Sequence, residues 1–486
     1  MVFTSPLFLF VFLPLVWVGW QLVGRLRSSE RVSLVYLIVA SLIFYAWWHV
    51  PNLGVLGASI ASNYILGRSI TRGTGRTRTV LLWIGITANL TLLAVFKYYA
   101  FFTGQRMALI LPLAISFFTF TQIAFLVDVS RGQVRETSFL RYVFFVVFFP
   151  HLIAGPIVRL QEIQDQLRNC LPRNLTFDEF RAGTTLILIG LAKKVLIADT
   201  LAPASEVLFS GALSGAVSAP VAWVGAFCFY LQIYFDFSGY TDIALGLARL
   251  FVIRFPENFD YPYRAVSIID FWRRWHMTLS RFLRDYVYIP LGGSRRGEWR
   301  RYTSLMITML VGGLWHGAGW TFVVWGGLHG IGLAVNHAMR RMFPEPRTPV
   351  LLRVIAAQAF VFFAWIFFRS ADFGSAWRVL RAMPGSWTLA DPGLLQMVNA
   401  TNVFFQMVFR DPALNAGLTG LGVFTLLALV AATWRGGPRA MIAPAVSRWP
   451  TVDGSLRIAL AVLVVVVISG RVSAGHVIQP FIYFQF

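Results

Sequence analysis

Apolar stretches near the length needed to cross a bilayer, about 20 residues, recur from one end of this chain to the other. In hydrocarbon every backbone N–H and C=O must be satisfied inside the segment, so such stretches become helices. Thirteen candidates lie near 6–24, 32–49, 51–67, 79–102, 107–127, 140–158, 183–201, 217–235, 303–322, 323–339, 350–368, 413–433 and 456–470. About eleven are expected to span, with the others re-entrant or tilted. Charged residues are only 13% of the 486, against roughly 25% in soluble domains, too few to coat several globular surfaces. The expectation is an all-α polytopic membrane protein with one membrane domain over 1–486. No repeat, long linker or low-complexity tail interrupts it, and 471–486 forms a C-terminal tail.

The formal charge of +21 would suit a nucleic-acid partner, but its distribution does not. All but three of the basic residues are Arg, clustered between apolar runs: Arg25, Arg27 and Arg31; Arg68, Arg72, Arg76 and Arg78; and nine from Arg264 to Arg301. That is the pattern of cytoplasmic loops, so the expected partner is membrane lipid and not nucleic acid. The three Lys are Lys97, Lys193 and Lys194, and none follows Gly, which removes a P-loop. Cys170 and Cys228 sit in or beside apolar segments and offer neither a disulfide framework nor a Cys-based metal site. The first positive charge, Arg25, follows the first apolar run. This order argues against a cleavable signal and for an external N-terminus.

Residues 254–301 form the longest polar interruption, expected to be a cytoplasmic amphipathic segment. From Asp270 to Tyr286 a helical period puts Phe271, Trp275, Leu279, Phe282 and Tyr286 on one face, with Arg273, Arg274, Arg281 and Arg284 mostly off it. Asp270 with Arg274 and Arg281 with Asp285 are i,i+4 pairs. Two readings fit: an interfacial anchor with Trp residues on anionic lipid, or a dock for a polyanionic cytoplasmic substrate such as coenzyme A.

Between Tyr302 and Met339 there is no Asp, Glu, Lys or Arg, yet His316, His329 and His337 interrupt the run. An ionisable group at such depth is by default a functional candidate. Gly312, Gly313, Gly317 and Gly319 leave little bulk beside His316. That suits either a thin substrate or broken backbone lining a cavity, or simply a packing histidine on a close helix contact. On a continuous helix His316 and His329 would stand about 220° apart, so a two-His metal site is not expected. His329 and His337 read as structural, with no obvious partner. A neutral imidazole can take a proton from a hydroxyl attacking an activated acyl group. No G-x-S-x-G elbow is present to supply an enzyme serine instead.

Trp-Arg-Arg-Trp-His-Met-Thr-Leu-Ser (272–280), followed by Gly-Leu-Trp-His-Gly-Ala (313–318), resembles the membrane-bound O-acyltransferase superfamily. More narrowly it is similar to the bacterial alginate O-acetyltransferase branch. Pro-His-Leu-Ile-Ala-Gly-Pro-Ile (150–157), Tyr-Phe-Asp-Phe-Ser-Gly-Tyr-Thr-Asp (234–242), Asn-Phe-Asp-Tyr-Pro-Tyr (258–263), Tyr-Ile-Pro-Leu-Gly-Gly (288–293), Trp-Ile-Phe-Phe-Arg-Ser (365–370) and the last six residues agree. The resemblance implies a helical bundle around a central funnel, with acetyl-CoA entering from the cytoplasm as acyl donor and no bound cofactor. It also implies a periplasmic acetyltransferase partner acting on an exopolysaccharide such as alginate, in a bacterial inner membrane.

On the same resemblance the family's essential histidine matches His316 and its second histidine matches His276. His276 then lines the cytoplasmic mouth, or else simply hydrogen-bonds Ser280 one turn on. The terminal Phe481-Ile-Tyr-Phe-Gln-Phe486 is similar to a peptide motif of the related D-alanyl transfer system. It implies Tyr483 as an acyl relay, the alternative being an aromatic-belt anchor. Candidate substrate-binding residues are Asn258, Trp272, Trp275, Arg273, Arg274, Ser280, Trp315 and Asp236. Asp236, with Tyr240 and Asp242, marks either the polar end of a span or a group orienting His276 or His316. Asn258 could bond a substrate carbonyl, and Lys193, Lys194 and Arg159 look like topology charges. The competing functions are a secondary transporter or a noncatalytic export-complex subunit, and peptidoglycan or cellulose could replace alginate as acceptor.

Overall fold

A computed structural model describes residues 1–26, 29–105, 111–134, 138–168, 170–215, 217–295, 297–343, 348–388, 390–409, 417–433, 462–468 and 481–482. They are predominantly helical, with no strand among the described residues. Four of the helices are long and apolar enough to cross a bilayer: Phe8–Leu26, Gly75–Thr103, Ala219–Leu250 and Val350–Arg369. The chain divides into two compact units, residues 1–187 with 240–257 and residues 188–239 with 258–486.

The first unit contains α1 (Leu13–Leu26), α2 (Glu30–Ala46), α3 (Asn52–Arg72), α4 (Gly75–Leu93), α5 (Tyr99–Thr103), α6 (Ile115–Ser130), α7 (Phe139–Val147), α8 (Phe149–Leu152), α9 (Leu160–Leu167) and most of α10 (Phe177–Ala192). Polar side chains tie its apolar helices, as expected where lipid removes any hydrophobic drive to associate. Asn63 and Asn89 exchange amide hydrogen bonds of 3.2 and 2.6 Å between α3 and α4. The Gln122 amide donates to the Ser59 hydroxyl at 2.9 Å. The expected span 140–158 is not one helix. Its backbone leaves the helical region at Phe148 (ψ 112°), and Pro150, lacking an N–H, cannot continue the ladder.

The second unit holds α11 (Asp199–Ser214), the first part of α12 (Ala219–Leu250), α13 (Ile268–Arg274), α14 (Met277–Leu283), α15 (Glu298–His316), α16 (Trp320–Met342), α17 (Val350–Arg369), α18 (Phe373–Ala382), α19 (Pro392–Phe409) and α20 (Gly417–Thr433). The expected span 217–235 is too short, because α12 continues unbroken through Asp236 to Leu250. A residue such as Asp236 ends a span only if it is left unpaired, and here it is not.

The close antiparallel pair α15–α16 rests on missing side chains. A Cβ on Gly313 would lie 2.3 Å from the Phe322 carbonyl oxygen, and one on Gly326 would lie 2.3 Å from that of Met309. A Cβ on Gly317 would meet the Phe322 ring at 2.1 Å. Gly313, Gly317 and Gly319 therefore admit α16 at Phe322, while Gly312 faces Leu283 of α14.

Candidate active site

The second unit brings together two histidines that the sequence separates by 40 positions. His276 is fully buried and His316 is 4% exposed, and their ring centroids stand 6.4 Å apart. Trp315 flanks both, at 5.9 Å from His276 and 4.9 Å from His316. Phe237 meets the His276 ring edge-to-face at 4.7 Å, and Trp325 and Phe368 meet His316 at 5.1 and 5.2 Å. The walls are aromatic, which keeps the local dielectric low and strengthens any charge the histidines handle.

His276 is where the expected amphipathic helix breaks. It sits in the left-handed region (φ 43°, ψ 53°) between α13 and α14, a conformation that costs a non-glycine residue about 1–2 kcal/mol. Non-local backbone bonds hold it there: Asp260 N–H donates to the Arg274 carbonyl and Met277 N–H to the Asn258 carbonyl, both at 2.9 Å. Strained residues of this kind concentrate at functional sites. Phe271, Trp275, Leu279 and Phe282 are nonetheless all buried and Tyr286 is half-buried, so most of the predicted apolar face survives the break.

The same segment fixes the His276 tautomer. Asn258 Oδ1 accepts from Thr278 N–H at 3.2 Å and from the Thr278 hydroxyl at 2.9 Å. A backbone N–H can only donate, so this atom is the amide oxygen. His276 Nδ1, 3.0 Å away, must then carry its proton, and Nε2 presents the lone pair. Asn258 Nδ2 is buried and has no hydrogen-bond partner among the described residues. Burial also pushes the His276 imidazole below the usual histidine value, keeping it neutral near pH 7. The alternative His276–Ser280 bond is made by the backbone, Ser280 N–H donating to the His276 carbonyl at 2.9 Å. The Ser280 hydroxyl donates instead to the Trp275 carbonyl at 3.3 Å.

The tryptophans are not interfacial anchors. Trp272 is 8% exposed and Trp275 fully buried. The Trp272 indole N–H donates to His329 Nδ1 at 3.1 Å, and Trp275 packs against Phe259, Phe271 and Trp365 at 5.1, 5.6 and 5.1 Å. His329 thus has the partner that its sequence position did not show, as does His337, whose Nδ1 faces Arg301. Arg273 is exposed. Arg274 donates to Asp270 at 3.0 Å, as expected, and also to Asp260 at 2.9 Å.

Asp236 pairs with a lysine. Lys194 Nζ bridges its carboxylate and that of Asp199, at 2.5 and 2.8 Å, and all three side chains are 2% exposed. Lys194 is therefore a buried ion-pair residue and not a topology charge. Its place inside the apolar run 183–201 was the available signal, because an intramembrane charge normally has a partner. Asn258 takes the orienting role that had been open to Asp236. Tyr483 lies outside the described residues.

A cavity of about 660 Å³ opens near the site, with Arg264, Arg274 and Arg340 in its wall beside Asp260, Asp270 and Tyr263. Arg264 and Arg340 make no ion pair among the described residues. The Tyr263 ring lies parallel to Trp275 at 6.5 Å, so one aromatic layer links the cavity wall to the residue before His276. Sequence reading missed Arg264, Arg340 and Thr278. Nothing in their local pattern distinguishes them, because an Arg in a loop or the last turn of a helix and a Thr within a helix are ordinary.

Comparison with known proteins adds an independent line. The family model described as "MBOAT, membrane-bound O-acyltransferase family" matches residues 75–372. "Probable alginate O-acetylase AlgI" of Azotobacter vinelandii is 41% identical over 418 residues, covering 82% of this chain and 81% of that protein. "Peptidoglycan O-acetyltransferase" of Helicobacter pylori is 40% identical over 427 residues, covering 79% and 80%. "Teichoic acid D-alanyltransferase" of Streptococcus thermophilus is 30% identical over 242 residues, covering 47% and 57%. With both matched histidines inside the family region and several helices able to cross a bilayer, this multi-pass membrane chain belongs to the membrane-bound O-acyltransferase family, and it is an acyltransferase.

Proposed function

We propose that the protein takes acetyl from cytoplasmic acetyl-CoA and passes it across the bacterial inner membrane to an acceptor hydroxyl on the periplasmic side. The acceptor belongs to a periplasmic acetyltransferase that modifies an exopolysaccharide such as alginate. The helices, about eleven of them spanning, surround the funnel through which acetyl passes. The observation that carries this reading is the buried pair His276–His316, with the His276 tautomer fixed by Asn258.

In the step envisaged, His316 takes the proton of the acceptor hydroxyl as its oxygen attacks the thioester carbonyl. The C–O bond forms, the C–S bond breaks, and the coenzyme thiolate recovers the proton from the imidazolium. Asn258 Nδ2 donates to the carbonyl oxygen as negative charge develops there, a role suited to a fixed, desolvated donor. His276 Nε2 accepts from an N–H or O–H of the substrate. Arg264 and Arg340 hold coenzyme phosphates in the cavity. Trp272 and Trp275 stiffen the walls, with Arg273, Arg274, Ser280 and Trp315 supporting the mouth. In the relay form of this step the Tyr483 hydroxyl is itself the first acceptor. Its oxygen takes acetyl from the thioester as above, and the final acceptor hydroxyl then attacks the tyrosyl ester, forming its own C–O bond while the tyrosyl C–O bond breaks and Tyr483 regains the proton.

The test is label transfer from radioactive acetyl-CoA in proteoliposomes with the candidate acceptor protein. Wild type consumes and transfers the label, and His316→Ala does not. Equal behaviour of the two makes His316 structural and favours a transport or subunit role. Full transfer by Tyr483→Phe removes the relay while leaving the base in place. The Helicobacter pylori relative supplies the second acceptor to try, peptidoglycan in place of alginate.

A further inference from the structure

The ion cluster Lys194–Asp199–Asp236 does more than neutralise itself. Two carboxylates surround one ammonium, and the chain's own C-terminal segment completes the group. Ile482 N–H donates to Asp236 Oδ2 at 2.8 Å while Oδ1 of the same carboxylate faces Lys194. The Phe481 ring lies 4.8 Å from Lys194 Nζ, in cation–π range. Phe481 and Ile482 are 1% and 3% exposed. A single helix residue is thus bonded at once to a charge on its own bundle and to a backbone N–H 246 positions away.

We infer that this cluster is a clasp that docks the C-terminal segment inside the second unit, with Asp236 as its positioning residue. The clasp stands on the contacts just described. Its consequence for transfer rests on the Tyr483 reading, since the clasped Ile482 immediately precedes that tyrosine. Asp236 needs two acceptor oxygens, one for each donor. An amide in its place offers one oxygen and turns an N–H toward the other donor, so Asp236→Asn releases either the lysine or the segment.

The test reads docking and transfer separately, in a Cys170→Ala, Cys228→Ala background reconstituted in liposomes. A thiol placed by Ile482→Cys keeps the backbone N–H and labels slowly with a maleimide. Adding Asp236→Asn accelerates labelling about tenfold or more, the scale of a lost charge-assisted hydrogen bond. Unchanged labelling overturns the clasp. Should Asp236→Asn fail to fold, Phe481→Cys is compared with Ile482→Pro, which removes the N–H and truncates the side chain, and with Ile482→Ala, which truncates the side chain and keeps the N–H. Faster labelling only with proline supports the clasp, and equal rates overturn it. In the transfer assay Asp236→Asn lowers kcat with KM for acetyl-CoA unchanged. Accelerated labelling with full transfer keeps the clasp and overturns its positioning role. Absence of transfer in wild type overturns the proposed function and leaves the labelling result standing.

Discussion

The two histidines of the site both sit at helix breaks, and the breaks are built in opposite ways. The one after His316 needs no unusual backbone: Gly317 is extended, and glycine is required there for space against the Phe322 ring. The one at His276 puts a non-glycine residue in the left-handed region and holds it with hydrogen bonds from residues 258–260. The first break is made by small residues within the segment itself. The second is imposed by another part of the chain that also orients the imidazole through Asn258. Small residues can open space beside an imidazole, but a tautomer is set by the partner its ring nitrogen meets, here one supplied from outside the segment.

Four measurements sharpen or break that contrast. The largest effect is expected for His316→Ala, which lowers the transfer rate about 10²- to 10⁴-fold with little change in melting temperature, the range for a lost general base. A drop below tenfold would place the base elsewhere.

Next comes Asn258. Asn258→Ala frees the His276 ring and removes the proposed carbonyl donor, and it should cost about tenfold or more in kcat, or ~1.4 kcal/mol. Asn258→Asp keeps the acceptor oxygen but adds a negative charge beside Nδ1, which favours the imidazolium. His276 now titrates below the usual histidine value and is needed neutral. Raising it moves the acidic limb of the pH–rate profile to higher pH, and an unmoved limb would separate Asn258 from His276 function.

A smaller effect follows from packing. Gly313→Ala drives a methyl against the Phe322 carbonyl and should destabilise by about 1–3 kcal/mol, read as a lower melting temperature in detergent. If melting is unchanged, the α15–α16 contact is looser than described.

The smallest effect separates the two breaks most directly. His276→Gly relieves the left-handed strain and should melt about 1 kcal/mol higher than His276→Ala, in which the strain persists. Both variants lose the imidazole, so the difference isolates the backbone. Equal melting would mean that no strain is stored at this position. Wild type also carries a pH signature here. A buried histidine with a depressed pKa contributes stability that is present above the unfolded value of about 6.5 and lost as pH falls below it, an effect that His276→Gly removes.

Much of the chain was legible before any coordinates. Apolar length predicted the helices, because a backbone in lipid has no alternative partner. His316 was visible as an ionisable group in an uncharged run, and the Gly run around it marked a close approach. The pattern 270–286 correctly named the buried face but not the break within it. That break is enforced by carbonyls and N–H groups, which carry no side-chain signal. The tryptophans of the same segment looked interfacial because their neighbours are Arg, yet they face inward onto His329 and Trp365.

The sequence by itself determined that this is a helical membrane protein, where its deep histidine lies, and which family it resembles. Those facts depend on hydropathy and local motifs. Only the tertiary structure decided that Asn258 sets the His276 tautomer, that Lys194 is sealed between two carboxylates, and that Asp236 meets the far end of the chain. Each of these is a pairing between distant residues. A buried donor or charge must find a partner, but which partner it finds depends on how the helices pack.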